Sequence, residues 1–385
     1  MKIACITPDD LSTIIFCKTL IKINYQISSN EIYTISPVDL YRNELYNLNP
    51  KHIEIQMFRW ISIFKDLKYL IQLYSIIKKN NFDYVITFTT KPNIYGAIAA
   101  YFAGVKNITI AVRGLGQIFN KQDSLKDIIL RFFLKYLYKI SISCAKFVWF
   151  TNKYDQKLFI DEKIVKKNKT ILSKNALDLD YFSMNSLDLK NLEELKSQLN
   201  VNSGDRVVIM VARLIWSKGI NEFVSAAISL FNELPRTHFF LVAPEEKNSP
   251  EAVPTSFILA AEKKSNLKWL GFRKDVRELY AISNLSVLPS YYREGGYPRA
   301  LIEAMALGKA VIAADTDHCK NPVDEGKNGY LVPIKNSIAL ANKIKSILQD
   351  NSKLRKFGDY SRQKAINEFD DRKVINEVLR KINIY

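Results

Sequence analysis

The sequence has 385 residues, a length that exceeds what a single core usually holds, so two domains are expected. Its composition, 48% hydrophobic and 25% charged, is typical of a globular protein. Its four cysteines are scattered without a CxxC pair and its three histidines lie far apart, which argues against a structural zinc site and for reduced thiols. The net charge of +17 is uneven, with 26 Lys and Arg against 13 Asp and Glu in residues 1–175, and this excess predicts an anionic partner: nucleic acid, acidic lipid or a phosphorylated substrate.

The chain begins with an apolar segment, MKIACITPDD, that predicts a buried strand close to residue 1. This segment lacks the charged start, long apolar run and small-residue cleavage site of a signal peptide. No stretch reaches the roughly 18 uncharged apolar residues that a spanning helix needs. We therefore expect a cytoplasmic protein that is soluble or lies on a membrane surface.

Short apolar runs alternate with longer helical patterns through the first half of the chain. Strands are predicted over residues 2–8, 31–37, 52–57, 84–89, 108–112, 147–151 and 170–173. Helices are predicted between most of them, notably over residues 60–79, 94–103 and 124–143. This alternation is typical of a parallel sheet covered by helices on both faces.

The same alternation returns in the second half. Strands are predicted over residues 207–211, 239–242, 267–270, 285–288, 310–314 and 330–332. Helices are predicted over residues 221–234, 254–264, 276–282, 298–307 and 337–349. We therefore predict an α/β protein with two Rossmann-like, doubly wound domains, an N-terminal one over 1–175 and a C-terminal one over 200–359, joined by a polar linker over 176–199. A last helical stretch, about 360–385, is expected to pack on either domain, including back on the first.

Ligands of open parallel sheets bind beyond the carboxyl ends of the strands. In VVIMVARLIWSKGINEF this rule selects Arg213, just past the first strand of the second half, and Lys218, at the start of the next helix. A guanidinium and an ammonium beside the free N–H groups of a helix start suit a diphosphate. The alternative is that both residues are solvated cations in a loop.

A second candidate site lies in YYREGGYPRALIEAMALGKAVIAAD, where the turn EGGY brings Glu294 and several backbone N–H groups to the start of a helix. Pro298 suits the first position of that helix and Gly308 its exit. Glu303 lies about a turn and a half inside, among apolar residues. An ionised carboxylate only accepts hydrogen bonds, so Glu303 could hold the two hydroxyls of a ribose. Pairing of Glu303 with an arginine or a backbone donor is the alternative.

These motifs resemble those of a known family. ARLIWSKGINEF, followed some eighty residues later by EGGYPRALIEAMALGKAVIAAD and then by GKNGYLVP, resembles the retaining glycosyltransferases of family 4, whose GT-B fold has two Rossmann-like domains facing a central cleft. The resemblance covers nearly the whole chain. In the first half, TTKPNIYGAIAA and VRGLGQIF are similar to the subgroup that builds bacterial surface polysaccharides, such as O-antigen or capsule, or protein-linked glycans on polyprenyl diphosphate carriers.

The resemblance implies a role for each matching residue. Arg213 and Lys218 would neutralise the diphosphate of a nucleotide-sugar donor and Glu294 would contact hydroxyls of the donor sugar, which makes these three the expected catalytic residues. Glu303 would bind the ribose. The remaining donor-binding residues would be those of the turn, whose amides lie close to the sugar and phosphates: Gly295, Gly296, Tyr297 and Pro298. The chain has eight residues between its two glutamates where the family usually has seven, and the extra glycine is expected to fit as a small bulge.

The resemblance also implies an enzyme without a metal or other cofactor. The two cations would replace the divalent ion that other glycosyltransferases require, and they would stabilise the charge that builds on the leaving diphosphate. The family's retention of configuration is explained by attack on the same face, with a donor phosphate oxygen taking the acceptor's proton. DTD at residues 315–317 mimics the metal-binding Asp-x-Asp of a different fold, but it follows a predicted strand here and no metal role is expected.

Candidates for the acceptor side lie in the first half of the chain. Lys91 and Arg113 follow predicted strands and are candidates to contact phosphates of the acceptor or the donor. Arg131, Lys135 and Lys139 recur every four residues and so share one helical face, with aliphatic and aromatic residues elsewhere. Residues 58–81 mix lysines and aromatics in a similar way. Basic, aromatic-rich amphipathic helices suit an anionic membrane surface, and ordinary packing on the sheet is the alternative.

We therefore expect a retaining glycosyltransferase that moves a sugar, a hexose or N-acetylhexosamine, from a UDP-sugar to a polyprenyl-diphosphate-linked saccharide. It would act peripherally on the inner face of a bacterial cytoplasmic membrane. An enzyme of the same architecture that acts on a soluble sugar or sugar phosphate is the near alternative. A basic nucleic-acid-binding protein is the distant one, although no RNP-like, zinc-finger or helix-turn-helix signature supports it.

Overall fold

The structure, a computed structural model, describes residues 1–27, 30–49, 51–58, 61–115, 125–246 and 249–384. The chain divides into two units, one formed by Met1–Lys174 with Arg372–Tyr385 and the other by Asn175–Asp371. Residues 116–119 of the motif VRGLGQIF lie outside the described residues, as do the first residues of two predicted helices, at 60 and 124.

The sheet of the first unit follows the apolar runs of the sequence closely. Its strands are β1 Lys2–Ile6, β2 Glu31–Ser36, β3 His52–Glu54, β4 Tyr84–Phe88, β5 Asn107–Val112, β6 Phe147–Phe150 and β7 Thr170–Leu172. All the pairings are parallel, and the order is β3-β2-β1-β4-β5-β6-β7. Because both faces of such a sheet are covered, its strands are continuous apolar runs, as the fully buried β4 illustrates.

Helices cover both faces of this first sheet. They are α1 Asp10–Ile27, α2 Arg42–Leu48, α3 Ile63–Asn80, α4 Ala97–Phe102, α5 Leu125–Cys144 and α6 Lys153–Asp161. The buried side chains of α3, α4 and α5 belong to one apolar cluster with the sheet, and α4 packs between the other two helices. The buried side chains of α1 belong to a second cluster. The helices α3, α4 and α5 therefore form one layer.

The second unit has the strand order of a doubly wound dinucleotide-binding domain. Its strands are β8 Arg206–Val211, β9 Thr237–Val242, β10 Leu267–Trp269, β11 Leu285–Leu288, β12 Ala310–Ala314 and β13 Gly329–Val332. The sheet is parallel, in the order β10-β9-β8-β11-β12-β13. The strand order reverses between β8 and β11, and ligands of such sheets bind at the carboxyl side of that switch point.

The helices of the second unit include one in the segment that was predicted as a linker. They are α7 Leu189–Gln198, α8 Ile220–Leu230, α9 Thr255–Glu262, α10 Val276–Ile282, α11 Arg299–Ala306, α12 Ser337–Leu348 and α13 Asn351–Glu368. The linker prediction over 176–199 was wrong, because α7 packs against α10, and the second core includes Leu192 and Leu195 of this helix and Leu199 directly after it. The three leucines recur at helical spacing, a signal that the polar composition of the segment concealed.

The last helical stretch is broken where the chain leaves the second unit. A single helix was predicted over about 360–385, but α13 ends at Glu368 and a separate α14, Asp371–Lys381, follows. Leu177 forms an isolated bridge with Asp370 at the break. The apolar side chains of α14 join the cluster of α1 in the first unit, and the hydroxyl of Tyr84 donates to the carbonyl of Ile382 at 3.2 Å.

Candidate active site

Two loops meet at the switch point of the second sheet. Arg213 follows β8, and the chain then makes a 3-10 turn, Trp216–Lys218, before α8. The loop after β11 lies against this turn, since the amides of Tyr291 and Tyr292 both donate to the carbonyl of Ser217 at 2.9 Å. The two sequence motifs that lie some eighty residues apart are therefore joined by backbone hydrogen bonds.

Lys218 and Glu294 form a largely buried ion pair between these loops. Lys218 Nζ lies 2.5 Å from Glu294 Oε1, and the side chains are only 12% and 10% exposed. The hydroxyl of Ser290 donates to the same carboxylate oxygen at 2.6 Å. Opposite charges at low exposure interact strongly, so each group fixes the position of the other.

Tyr292 forms a platform beneath both predicted cations. Its ring centroid lies 5.0 Å from the guanidinium carbon of Arg213 and 4.6 Å from Lys218 Nζ, distances at which a cation is attracted to an aromatic face. Burial raises the pKa of the Tyr292 phenol, with Arg213 opposing the shift. The Arg213 side chain remains 37% exposed, and its guanidinium lies 3.9 Å from a carboxylate oxygen of Glu246. Arg213 is thus placed to bind an anion from solvent.

Gly219 allows the two loops to approach each other. It follows Lys218 with φ of +82°, and a Cβ at this position would lie 2.4 Å from the carbonyl oxygen of Pro289, the residue after β11. Only glycine combines this left-handed backbone with such a close contact.

We expect Gly219→Ala to cost more than about 2 kcal/mol of stability, because strain and the backbone clash add, and to lower donor binding at least tenfold. Thermal unfolding and titration with UDP would measure both. Gly271→Ala is the matched control: its φ is +62°, but open space surrounds the Cβ position. Equal losses in the two variants would contradict the role of the Pro289 contact.

The extra glycine between Glu294 and Glu303 was expected to fit as a small bulge, and the turn after Glu294 has the left-handed backbone that favours glycine. Gly295 and Gly296 have φ of +70° and +86°. The amide of Gly296 donates to the carbonyl of His318 at 2.9 Å, and the carbonyl of Tyr297 accepts from Asn175 at 2.6 Å. The Gly296 amide, predicted to lie near the donor's sugar and phosphates, therefore also shapes the turn. Pro298 is the N-cap of α11, one position before its predicted place.

Glu303 is paired within its own helix. Arg299 Nε donates to Glu303 Oε1 at 3.0 Å, and the same arginine donates to the carbonyl of Ala176 at 3.2 Å. Burial raises the pKa of the Glu303 carboxyl, while Arg299 opposes the shift. The arginine partner that the sequence left open as the alternative is thus present. Ribose binding by Glu303 stays a prediction.

Sequence reasoning missed three residues that shape this site. Arg299 precedes Glu303 by four residues, so helical spacing alone signalled the ion pair. Ser290 and Tyr292 lie in the stretch that drew attention to Glu294, but their contacts with Glu294, Arg213 and Lys218 depend on how the two loops meet. No local sequence pattern indicates such contacts.

Lys91 occupies a different environment from the one expected. It forms an ion pair with Asp66 of α3, with side-chain exposures of 14% and 5%, and it donates to the carbonyl of Phe58 at 2.8 Å. Asp66 also accepts from Tyr95, at 3.4 Å. The lysine thus fastens the start of α3 to the loop before it. Its contact with a phosphate stays a prediction.

Arg113 follows β5, at the carboxyl edge of the first sheet. Its guanidinium carbon lies 4.0 Å from the ring centroid of Trp149, 5.0 Å from that of Phe16 and 5.5 Å from that of Phe88. Three aromatic rings therefore surround the cation and fix its direction. Its predicted contact with a phosphate is not tested by this geometry.

The face that α5 exposes is more apolar than the sequence suggested. Lys139 is exposed, whereas Arg131 is half-buried and Lys135 Nζ lies 2.6 Å from Glu162 Oε2. The exposed large apolar side chains of this helix are Leu125, Ile128, Ile129, Phe132, Phe133, Tyr136 and Ile140. The opposite face of α5, with Leu134 and Tyr138, packs on the sheet. Packing on the sheet therefore does not explain the exposed apolar side chains.

Asp315 and Asp317, which mimic a metal-binding motif, are more than half exposed, and Lys320 lies 3.8 Å and 2.9 Å from them. Within the ranges that the structure describes, no group of three or more His, Cys, Asp or Glu side chains is arranged to hold a metal ion. Independence from metals stays a prediction.

Two family descriptions match consecutive parts of the chain. Residues 11–152 match the family described as glycosyl transferase 4-like, and residues 191–364 match glycosyl transferases group 1. The second range contains Arg213, Lys218, Glu294 and Glu303.

Relatives of known activity are similar over most of their length. The chain is 30% identical to the N,N'-diacetylbacillosaminyl-diphospho-undecaprenol alpha-1,3-N-acetylgalactosaminyltransferase of Campylobacter jejuni, over 85% of this chain and 84% of the relative. It is 28% identical to the UDP-Gal:alpha-D-GlcNAc-diphosphoundecaprenol alpha-1,3-galactosyltransferase of Escherichia coli, over 83% and 80%.

The fold is similar to that of solved glycosyltransferases. The crystal structure of Anabaena HepE in complex with UDP-glucose matches with a TM-score of 0.79 at 20% identity, and covers all of both chains. WaaG, a glycosyltransferase involved in lipopolysaccharide biosynthesis, matches with a TM-score of 0.75 at 14% identity over 99% of each chain. The fold and family predicted from the motifs are confirmed. The chain belongs to the glycosyltransferases of the GT-B fold that join a glycosyl transferase 4-like part to a group 1 part.

Proposed function

We propose that this glycosyltransferase moves a hexose or N-acetylhexosamine, with retention of configuration, from a UDP-sugar to a saccharide linked to polyprenyl diphosphate. One observation carries the proposal: Arg213 and Lys218 share the Tyr292 platform beside Glu294, at the switch point of the second sheet. The names of the C. jejuni and E. coli relatives support the acceptor, since both specify diphosphoundecaprenol substrates. The E. coli name supports the donor, since it specifies UDP-Gal.

The two cations supply the electrostatic part of the reaction. As the bond between the sugar and the diphosphate breaks, negative charge builds on the leaving phosphate, and Arg213 and Lys218 offset it without a divalent ion. A diphosphate that binds Lys218 competes with Glu294 for the ammonium. The carboxylate is then available to accept hydrogen bonds from hydroxyls of the donor sugar. This geometry supports a metal-independent enzyme.

The first unit carries an apolar surface on the layer of α3, α4 and α5. Each of these helices exposes large apolar side chains: Ile63, Phe64, Leu67, Ile71, Tyr101, Phe102, Ile129, Phe132, Phe133 and Tyr136. Soluble monomers rarely expose apolar groups so densely, and such surfaces serve interaction. No described helix has the length and apolar character to cross a bilayer.

We infer that the occupant of this apolar surface is an anionic lipid bilayer. The same half of the chain holds twice as many basic as acidic residues, and exposed aromatics among cations suit the headgroup region. Nucleic acid would match the charge but not the apolar side chains. The enzyme would then act peripherally on the inner face of the cytoplasmic membrane, where a lipid-linked acceptor is presented.

The test of transfer uses purified full-length protein, a panel of UDP-sugars and a polyprenyl-diphosphate-linked N-acetylhexosamine, with and without EDTA. We expect extension of the lipid-linked sugar with at least one donor, an unchanged rate in EDTA and an α-linked product. Transfer confined to free sugars or sugar phosphates would indicate the soluble-acceptor alternative. Sub-micromolar binding to random DNA at physiological salt would revive the nucleic-acid alternative.

For the membrane surface, we expect the double variant Phe132→Ser with Phe133→Ser to float with anionic liposomes about tenfold less efficiently, because two half-inserted aromatic rings are lost. Liposome flotation measures this. Phe272→Ser, at a side chain 55% exposed in the second unit, is the control and should float like the wild type. Equal recovery of the wild type on neutral and anionic liposomes would contradict the inference.

A further inference from the structure

A cavity of about 500 Å³ lies in the first unit, beyond the carboxyl ends of β2 and β3 and beside the first turns of α3. Its walls come from residues 37–38 directly after β2, from residues 54–58 and from one face of α3. Ligands of doubly wound sheets bind at this edge, and the volume lies within the range of small-molecule sites.

Two lysines of α3, Lys65 and Lys68, give the cavity its charge. Lys65 Nζ lies 3.8 Å from the ring centroid of Phe58, which holds the ammonium at the wall. Glu54 also lines the cavity, but its Oε2 lies 3.1 Å from an amino group of Arg42. The carboxylate is thus neutralised by another residue, and the two ammonium groups leave the cavity positive.

The walls of the cavity are fastened to each other. Asp66, between the two lysines in sequence, forms an ion pair with Lys91, which also donates to the carbonyl of Phe58. This nearly buried pair joins α3 to the loop that carries Phe58. The backbone that carries the two lysines is therefore held in place, which lowers the free-energy cost of ordering them when a ligand binds.

The neighbouring face of α3 is apolar and exposed. Ile63, Phe64, Leu67 and Ile71 are exposed by 80%, 87%, 52% and 58%. At 100° per residue, these side chains form a stripe beside the one that holds Lys65, Lys68 and the cavity residues Tyr69 and Gln72. A cationic cavity next to an apolar stripe matches a ligand with an anionic head and a hydrocarbon tail.

We propose that this cavity binds the diphosphate of the polyprenyl carrier, with Lys65 and Lys68 as its ligands and the prenyl chain leaving along the apolar stripe of α3 toward the bilayer. The inference rests on the proposed function, because it assigns a binding place to the acceptor's lipid. Diphosphate could also come from the nucleotide donor. The apolar stripe favours the lipid, since a nucleotide has no hydrocarbon chain to place there.

The experiment measures binding of farnesyl diphosphate, UDP and inorganic diphosphate to the full chain by calorimetry, together with KM for the lipid-linked acceptor. We expect Lys65→Ala with Lys68→Ala to weaken farnesyl diphosphate binding and to raise that KM, each at least tenfold, with UDP affinity unchanged. The charge-matched control, Lys166→Ala with Lys167→Ala, removes two exposed cations elsewhere in the same unit and should match the wild type. Lys65→Arg with Lys68→Arg should restore binding.

The outcomes separate this inference from the proposed function. Transfer to the lipid-linked acceptor with an unchanged KM in the alanine variant would overturn the cavity assignment and leave the enzyme's activity standing. Farnesyl diphosphate binding that depends on the lysines, without any transfer, would overturn the proposed acceptor and keep the cavity. Equal binding of inorganic and farnesyl diphosphate, or parallel loss of UDP, would overturn the assignment to lipid.

Discussion

Lys218→Ala is expected to lower the rate of sugar transfer at least 100-fold, which corresponds to about 2.7 kcal/mol of transition-state stabilisation. The ammonium of Lys218 is the more enclosed of the two cations on Tyr292, with 12% side-chain exposure against 37% for Arg213. A charge acts most strongly where water is excluded. Its removal also leaves the nearly buried Glu294 without a cationic partner, so negative charge faces the leaving diphosphate.

The measurement is kcat with saturating UDP-sugar, alongside thermal unfolding to show that the fold persists. Lys345→Ala is the matched control, because its ammonium pairs with Glu233 on exposed surface of the same unit. Surface pairs of this kind contribute little, so the control should transfer sugar at the wild-type rate. A rate for Lys218→Ala within tenfold of the wild type would remove this lysine from the mechanism.

Glu303→Ala is expected to reduce turnover by a similar factor, at least 100-fold, if the carboxylate holds the ribose. The competing explanation is that Glu303 has a structural role, because Arg299 already pairs with it in α11. Loss of the ion pair alone would destabilise α11 without a selective effect on the nucleotide. The comparison with Arg299→Ala therefore separates the two roles.

UDP affinity and thermal stability are measured for both variants. A ribose ligand predicts that Glu303→Ala loses far more UDP affinity than Arg299→Ala, even where their melting temperatures fall equally. Parallel changes in affinity and stability for the two variants would assign Glu303 to structure. Turnover of Glu303→Ala near the wild-type rate would also contradict ribose binding by Glu303.

The pH dependence of UDP binding gives an independent check on Glu303. Burial raises the pKa of its carboxyl, so protonation begins at a higher pH than for an ordinary glutamate. The protonated form has lost acceptor capacity for hydroxyl groups. UDP affinity should therefore fall as pH falls toward this raised pKa. The part of the pH dependence due to Glu303 should disappear in Glu303→Ala, where only the titration of the phosphates themselves remains.

The sheets were predictable because each buried parallel strand is a short, continuous run of apolar residues in the sequence. β8, for example, covers Arg206–Val211 where the apolar run predicted 207–211. The ends of the helices and the elements against which they pack were harder to predict from the sequence. The leucines of α7 lie in a segment whose polar residues suggested a linker, and the break between α13 and α14 at Phe369 and Asp370 carries neither glycine nor proline.

The candidate site was predictable in its residues and not in their pairing. Arg213, Lys218 and Glu294 were identified from strand ends and motif spacing, and the structure joins them through Tyr292 and an ion pair. Lys91 shows the limit of such reasoning. Its partner, Asp66, lies 25 residues earlier, and one sequence offers no means of distinguishing that carboxylate from others at similar distance.

The path of the chain constrains when the first unit can be finished. Its core includes Ile375, Val378 and Leu379 from the final segment, Arg372–Tyr385, which follows the entire second unit. On the ribosome, the residues of the first unit that are made early must therefore keep an uncovered apolar face until residues 372–385 have been synthesised. A stop codon introduced just before residue 372 would damage the unit of the enzyme whose synthesis began first.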